Sequence, residues 1–147
     1  MDYKIIEMLP EDAYRLTGLV GTLENLSEVG ALNEDKISGL IETINRQNGH
    51  LYVAVTGDNR IIGAVTLHIE QKIIHGGGLS GRIEDLAVHP EYEHNGVGSS
   101  LMSEAEDQAI KRGCYKRVLT CQETLVRFYK DLGFYRRGAS MRNKHPS

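Results

Sequence analysis

The sequence is short of cysteine, of cationic excess and of long apolar runs, and each shortage removes a class of function. Its 147 residues hold two cysteines, Cys114 and Cys121. Their spacing suits neither a disulfide framework nor a zinc site, so they read as small buried hydrophobes in a reducing compartment. Against 20 acidic residues stand 17 Lys and Arg, a net charge of −3 that disfavours nucleic acid or an anionic membrane as partner. No segment is apolar enough to span a bilayer, and Met1-Asp-Tyr-Lys-Ile-Ile-Glu7 is too charged for a signal peptide. The terminal His145-Pro-Ser147 is not a peroxisomal tripeptide, so a cytoplasmic protein is expected. The six histidines are scattered, and no metal site is expected. With no linker, repeat or composition shift, residues 1–147 read as one domain, long enough to bury roughly two-thirds of its unfolded surface.

What is present alternates between strand and helix patterns. Tyr3–Met8 reads as a strand, and Pro10 and Asp12 open a helix with the apolar stripe Leu16, Leu19, Val20 and Leu23. Asn33 is an N-cap for a helix that repeats Ile37, Leu40, Ile41 and Ile44 and stops in Arg46-Gln-Asn-Gly49. Strands Leu51–Thr56 and Ile61–Ile69 flank the hairpin signal Gly57-Asp-Asn-Arg60. A loop around Gly76-Gly-Gly78 leads to a strand over 81–88. The helix 99–112 ends in Lys111-Arg112-Gly113, cations followed by a C′ glycine. A short strand 117–120, a helix 124–132 and a final strand 134–141 complete a mixed α/β pattern.

The chemistry is concentrated in Arg82–Gly98. An apolar strand carrying Glu84-Asp85 runs through Pro90 into the turn Gly96-Val-Gly98 and onto a helix N-terminus. Such a turn lets backbone N–H groups approach a pyrophosphate, although one Gly-x-Gly among 16 glycines is weak by itself. Two carboxylates are costly to bury, so a strand that tolerates them has a use for them. Adjacent residues of a regular strand face opposite sides of the sheet, so only one can enter a site unless a bulge intervenes. Strand, anion turn, helix, short strand and then Phe128-Tyr-Lys-Asp-Leu-Gly-Phe134 together resemble the acyl-CoA core of the GNAT acetyltransferase superfamily. The resemblance implies a mixed, mostly antiparallel central sheet flanked by helices, with the turn on the cofactor's pyrophosphate and the Phe-Tyr helix closing the acyl site.

Four further stretches narrow the resemblance. Leu26-Ser-Glu-Val-Gly30, Ile69-Glu-Gln-Lys-Ile-Ile-His75, Gly81-Arg-Ile-Glu-Asp-Leu-Ala-Val88 and Gly113-Cys-Tyr-Lys116 are similar to eukaryotic-type glucosamine-6-phosphate N-acetyltransferases, over about Leu26 to Met141. The family implies acetyl-CoA as co-substrate, an amino sugar phosphate as acceptor, and a homodimer whose sugar sites draw on both subunits. It implies that Leu86, Ala87 and Val88 face the pantetheine arm, with the Leu86 N–H polarising the thioester carbonyl. His94, Asn95, Gly96, Val97, Gly98 and Ser99 would cradle the pyrophosphate, with Leu125, Arg127 and Tyr129 also on the cofactor. The sugar phosphate and hydroxyls would fall to Ser27, Lys72, Ile73, Ile74, His75, Tyr115 and Lys116, with Glu84, Asp85 and Thr120 nearer the amine. Lys144 stands where the family has a terminal arginine. Glu84 is the candidate base, and the Tyr129 hydroxyl the donor to the departing thiolate. Read without the family, Lys72 and Lys116 are solvated lysines, His75 a locally bonded loop residue, and Tyr129 a core aromatic on the stripe Leu125, Phe128, Leu132.

Four positions depart from the family pattern. Glu93 replaces Arg or Gln at the start of the turn, His94 replaces glycine, Leu125 replaces Asn, and Thr120 replaces an acid facing the sugar amine. The sequence therefore points to acetyl transfer from acetyl-CoA to glucosamine 6-phosphate by direct attack, without an acyl-enzyme. Two other readings stay open: another small primary amine as acceptor, prompted by Thr120, and a non-catalytic acyl-CoA-binding module.

Overall fold

The computed structural model describes residues 2–145. In chain order the elements are β1 (Tyr3–Glu7), a 3₁₀ turn (Pro10–Tyr14), α1 (Leu19–Leu23), α2 (Glu34–Arg46), β2 (Gly49–Thr56), β3 (Ile61–Gln71), a single turn α3 (Ile74–Gly77), β4 (Leu79–Val88), a 3₁₀ turn (Pro90–Tyr92), α4 (Val97–Lys111), β5 (Cys114–Val118), and α5 (Val126–Asp131) after a 3₁₀ turn (Glu123–Leu125). The five strands form one sheet in the order β1-β2-β3-β4-β5. All neighbours are antiparallel except β4 and β5. The mixed, mostly antiparallel sheet expected from the sequence is the one observed.

Alternation along β2 sends Tyr52 and Ala54 to one face and Leu51, Val53 and Val55 to the other, so each face acquires its own core. On the first face α4 packs Leu101, Met102, Ala105 and Ala109 against Val65, Leu67 and Ile83. On the second, Met8, Leu16, Leu19 and Ile41 cover Val53, Val55 and Ile61. The N-terminal end of α4 lies directly on β3: a Cβ at Gly63 would come within 2.8 Å of both Leu101 and Val97. That close approach fixes the helix start relative to the sheet, and with it the turn before the helix.

Helix α2 forms as its sequence signals require, with Asn33 Oδ1 accepting from the Lys36 N–H at 2.8 Å. The helix expected from Pro10 through Leu23 does not form as one piece. Gly18 adopts φ 91°, and Thr17 pairs with the start of β3, its N–H donating to Asn59 O (3.1 Å) and its carbonyl accepting from Ile61 N–H (2.7 Å). Long-range backbone pairing thus overrides the helical period, while Leu16 and Leu19 are buried as the stripe predicts. The expected strand over 134–141 is also not formed. Within this chain, among the described residues, no strand pairs with that segment, and an extended segment without a ladder partner leaves its N–H and carbonyl groups to solvent.

The pairing of β4 with β5 runs from Leu79↔Cys114 to Arg82↔Val118 and stops there, while β4 continues to Val88. The rest of β4, Ile83–Val88, and the chain leaving β5 therefore diverge, opening a wedge at the edge of the sheet.

Candidate active site

The wedge is a cavity of about 760 Å³, walled by Glu84–Val88 on one side and Leu119–Gln122 on the other. The start of α4 closes one end, and Phe128 and Tyr129 of α5 close another.

A β-bulge supplies the acidic pair. Ala64 pairs with Ala87 and Thr66 with Glu84, so Val65 alone opposes both Asp85 and Leu86. Asp85 takes φ 56°, left-handed backbone that costs a non-glycine residue roughly 1 kcal/mol. The extra residue breaks the alternation, and Glu84 and Asp85 both line the same cavity instead of facing opposite sides. With one β3 residue facing two of β4, the ladder cannot pair both Asp85 and Leu86 in the regular way. Arg82 lies beside the pair, its Nε 3.8 Å from Glu84 and 3.6 Å from Glu70.

The anion turn has the form the glycines require. His94 and Gly96 hold φ 65° and 79°, and α4 begins at Val97, so the first-turn N–H groups point out of the helix into the cavity end. Gly98 is informative for a different reason. Its φ is not left-handed, and a Cβ there would meet its nearest neighbour, Phe128, only at 3.6 Å. The chain itself has room for a side chain at 98, in space that faces the cavity, so a cradle with glycine at this position fits a ligand that approaches the backbone closely. Acyl-CoA's pyrophosphate fits these groups. His94 pays the left-handed cost that a glycine would avoid, about 1 kcal/mol.

Tyr129 is 9% exposed and lines the cavity together with Leu119 and Cys121. Its ring meets Phe128 and Phe134 edge-on, at centroid distances of 4.9 and 6.1 Å. Burial, with a smaller contribution from Cys121, pushes the phenol above its ordinary value. It therefore carries its proton at neutral pH, the state a proton donor needs.

Of the residues read from the sequence, the cavity gathers Glu84, Asp85, Leu86, Ala87, Val88, His94, Gly96, Val97, Gly98, Ser99, Thr120, Leu125 and Tyr129. It does not gather the rest. Asn95 turns its amide back to the carbonyls of Tyr92 (3.2 Å) and Glu93 (3.1 Å), shaping the turn. Arg127 is 86% exposed and pairs with Asp131 at 3.1 Å. His75, Tyr115 and Lys116 line a second cavity of about 800 Å³ across the Leu119–Tyr129 wall. There the rings of His75 and Tyr115 lie 4.3 Å apart, and Lys116 Nζ sits 5.5 Å from the Tyr115 ring. Lys72 pairs with Glu70 at 3.7 Å, while Ile73 and Ile74 are 95% and 62% exposed. Ser27 and Lys144 are exposed and line neither cavity.

Sequence reasoning missed three features of this site. Asn25 walls the first cavity from the segment after α1 with no local pattern to mark it, and Leu26, which opens a family-like stretch, walls it beside Asn25 without having been read as a site residue. Arg82 was noticed only as part of a motif. Cys121, read as a buried hydrophobe, is half-buried and lines both cavities, whereas Cys114 is buried as expected. Among the described residues no group of His, Cys, Asp and Glu could hold a metal ion, and no helix is long and apolar enough to cross a membrane.

Comparison with known proteins agrees with this geometry. Residues 20–134 match the model of the acetyltransferase (GNAT) family. A Drosophila melanogaster protein named as a probable glucosamine 6-phosphate N-acetyltransferase is 33% identical over 120 residues, 80% of this chain and 54% of its own length. The chain thus spans about half of that relative. Glucosamine 6-phosphate N-acetyltransferase 1 of Dictyostelium discoideum is 31% identical over 122 residues, 81% of this chain and 77% of its own. The crystal structure of a Trypanosoma brucei acetyltransferase superposes with a TM-score of 0.89 at 27% identity, covering 98% of this chain and all of the other.

Proposed function

The chain belongs to the GNAT acetyltransferase family, whose co-substrate is acetyl-CoA, and we propose that it acetylates the amine of glucosamine 6-phosphate. The product, N-acetylglucosamine 6-phosphate, would serve synthesis of UDP-N-acetylglucosamine in the cytoplasm. The observation that carries this reading is the bulge, which brings two carboxylates into one cavity with a protonated, buried phenol and a helix-start anion cradle. The relatives named for this acceptor support it.

Each residue has one task. The first-turn N–H groups of α4 hold the pyrophosphate. A backbone N–H at the bulge, that of Leu86, donates to the thioester carbonyl and stabilises the charge that develops there. Glu84 accepts a proton from the acceptor's ammonium group, directly or through a water, freeing the lone pair that forms the C–N bond. As the C–S bond breaks, Tyr129 gives its proton to the thiolate, and the second proton released by the newly bonded nitrogen restores the phenol, directly or through water. Asp85, at the same wall, orients the sugar. Thr120 places a neutral hydroxyl where the family has an acid, so the amine relies on Glu84 and Asp85.

Lys72, Ile73, Ile74 and His75 stand outside the catalytic cavity, and apolar side chains exposed within a recognition motif fit a surface that a second copy covers. That placement supports a homodimer in which each sugar site takes its phosphate contacts across the interface. Release of coenzyme A thiol across an acceptor panel tests the function. Glucosamine 6-phosphate should react far faster than glucosamine, because only it presents a dianion to the Lys72, His75 and Lys116 set. Equal rates on the two sugars, or a preference for spermidine, would replace this acceptor with a general small amine. No thiol release with any amine would leave a binding module.

A further inference from the structure

Glu93 is the residue of the anion turn that charge alone argues against, and among the described residues no cation pairs with it. Its Oε1 accepts a hydrogen bond from Asn25 Nδ2 at 2.9 Å. The same amide nitrogen donates to the carbonyl of Val88 at 2.7 Å. An asparagine amide has two hydrogens, so both are used: one on the turn that precedes α4, the other on the last residue of β4. Asn25 lies 68 residues from Glu93 in sequence, just beyond α1, next to Leu26 of the cavity wall and to Ser27.

We propose that Asn25 is a positioning residue, a clasp that holds the Glu93 carboxylate at one place on the cavity wall, engaged as an acceptor, and ties the segment after α1 to the acyl-CoA turn. This rests on the cavity being the acyl-CoA site. The physical reasoning has two parts. A carboxylate free to rotate beside the α4 N-terminus would compete with an anionic ligand for the same N–H groups. Held by Asn25, it is occupied as an acceptor at a fixed place, and its repulsion acts only at a distance. The second hydrogen bond fixes Val88, so the strand that presents backbone to the pantetheine arm and the turn that holds the pyrophosphate keep one spacing. A single neutral side chain thereby compensates for the departure at 93 and links three segments of one cavity wall.

The test is calorimetric binding of coenzyme A to the full chain, with steady-state kinetics on the same proteins. Asn25→Asp, which opposes Glu93 with a second carboxylate, should weaken coenzyme A about tenfold or more, the loss of a hydrogen bond to a charged group plus repulsion. Asn25→Ala should weaken it by less. Glu93→Gln alone should bind at least as tightly as the wild type, more so at low salt, because its oxygen still accepts from Asn25. In Asn25→Asp/Glu93→Gln the new amide donates back across the turn contact, and that part of the lost affinity should return, while the Val88 carbonyl stays without its donor. KM for acetyl-CoA should follow these affinities while kcat at saturation changes little, a split that general misfolding would not produce. Asn25→Asp binding as tightly as wild type, or a loss that Glu93→Gln fails to relieve, would overturn the clasp. A wild-type chain with no affinity for coenzyme A would instead overturn the parent reading, and the clasp with it.

Discussion

The acyl-CoA half of the cleft and the Lys72–His75 segment are built to different degrees of completion. On the acyl-CoA side every element is fixed by another from the same chain. Gly63 lets α4 sit on β3, the bulge sets Glu84 and Asp85, Asn25 ties the turn to β4, and Tyr129 is anchored between two phenylalanines. The other segment has little of this. The amide of Gln71 reaches the carbonyls of Lys72 (2.9 Å) and Gly77 (2.7 Å), His75 leans on Tyr115, and Ile73 and Ile74 face solvent. On the proposed function the difference reads as a division of labour, in which one chain would hold and activate the acyl donor and the acceptor would be selected at a surface that one chain leaves open.

The largest effect that sharpens this contrast is at Tyr129. Tyr129→Phe keeps the ring and its edge contacts but removes the proton donor, and kcat should fall about a hundredfold with KM for acetyl-CoA little changed. Full activity in steady-state assays would return Tyr129 to the role of a core aromatic. Next in size is Lys72→Ala, which should raise KM for glucosamine 6-phosphate about tenfold, a charge-assisted contact to phosphate, and leave KM for acetyl-CoA alone. If both constants moved together, the two halves would not be separable.

The fold was largely legible in the sequence because most elements carry local signals. Asn33 before an i, i+3, i+4 repeat and Lys-Arg-Gly at a helix end act within a few residues, and the helices they mark are observed. The failures have long-range causes. Thr17 pairs with residues more than forty positions away, which no helical period encodes. The segment 134–141 has strand composition but no ladder partner in its own chain. In the site, the residue types of Arg82–Gly98 point to the proposed chemistry, and the adjacency of Glu84 and Asp85 says that a bulge is needed to use both. That the bulge exists, and that Asn25 reaches the turn, depends on register and on contacts far apart in sequence.

Two smaller effects test the scaffold apart from the chemistry. Asn33→Ala removes the cap on α2, away from both cavities, and should lower stability in chemical denaturation by about 1 kcal/mol without moving either KM. The smallest is confined to alkaline solution. Burial raises the phenols of Tyr52 and Tyr129 above their ordinary value. Their contribution to stability is then fully present below that value, near 10, and is lost as pH rises through the folded-state values. Tyr129→Phe should flatten the fall in stability above about pH 10 and leave the profile below pH 9 unchanged in slope. A steeper alkaline fall in the Phe variant would mean that the phenol ionises more readily in the folded chain than in the unfolded one.

The comparison itself is tested most directly by mixing two crippled chains, Tyr129→Phe and Lys72→Ala/His75→Ala, under conditions where subunits exchange. If each site takes its acyl-CoA half from one copy and its phosphate contacts from another, a mixed dimer contains one site with both halves intact. Activity on glucosamine 6-phosphate should then rise well above the sum of the two variants assayed separately, and light scattering should report a dimer throughout. Activity equal to that sum, with exchange demonstrated, would mean that each site is complete within one chain and would contradict the shared acceptor site.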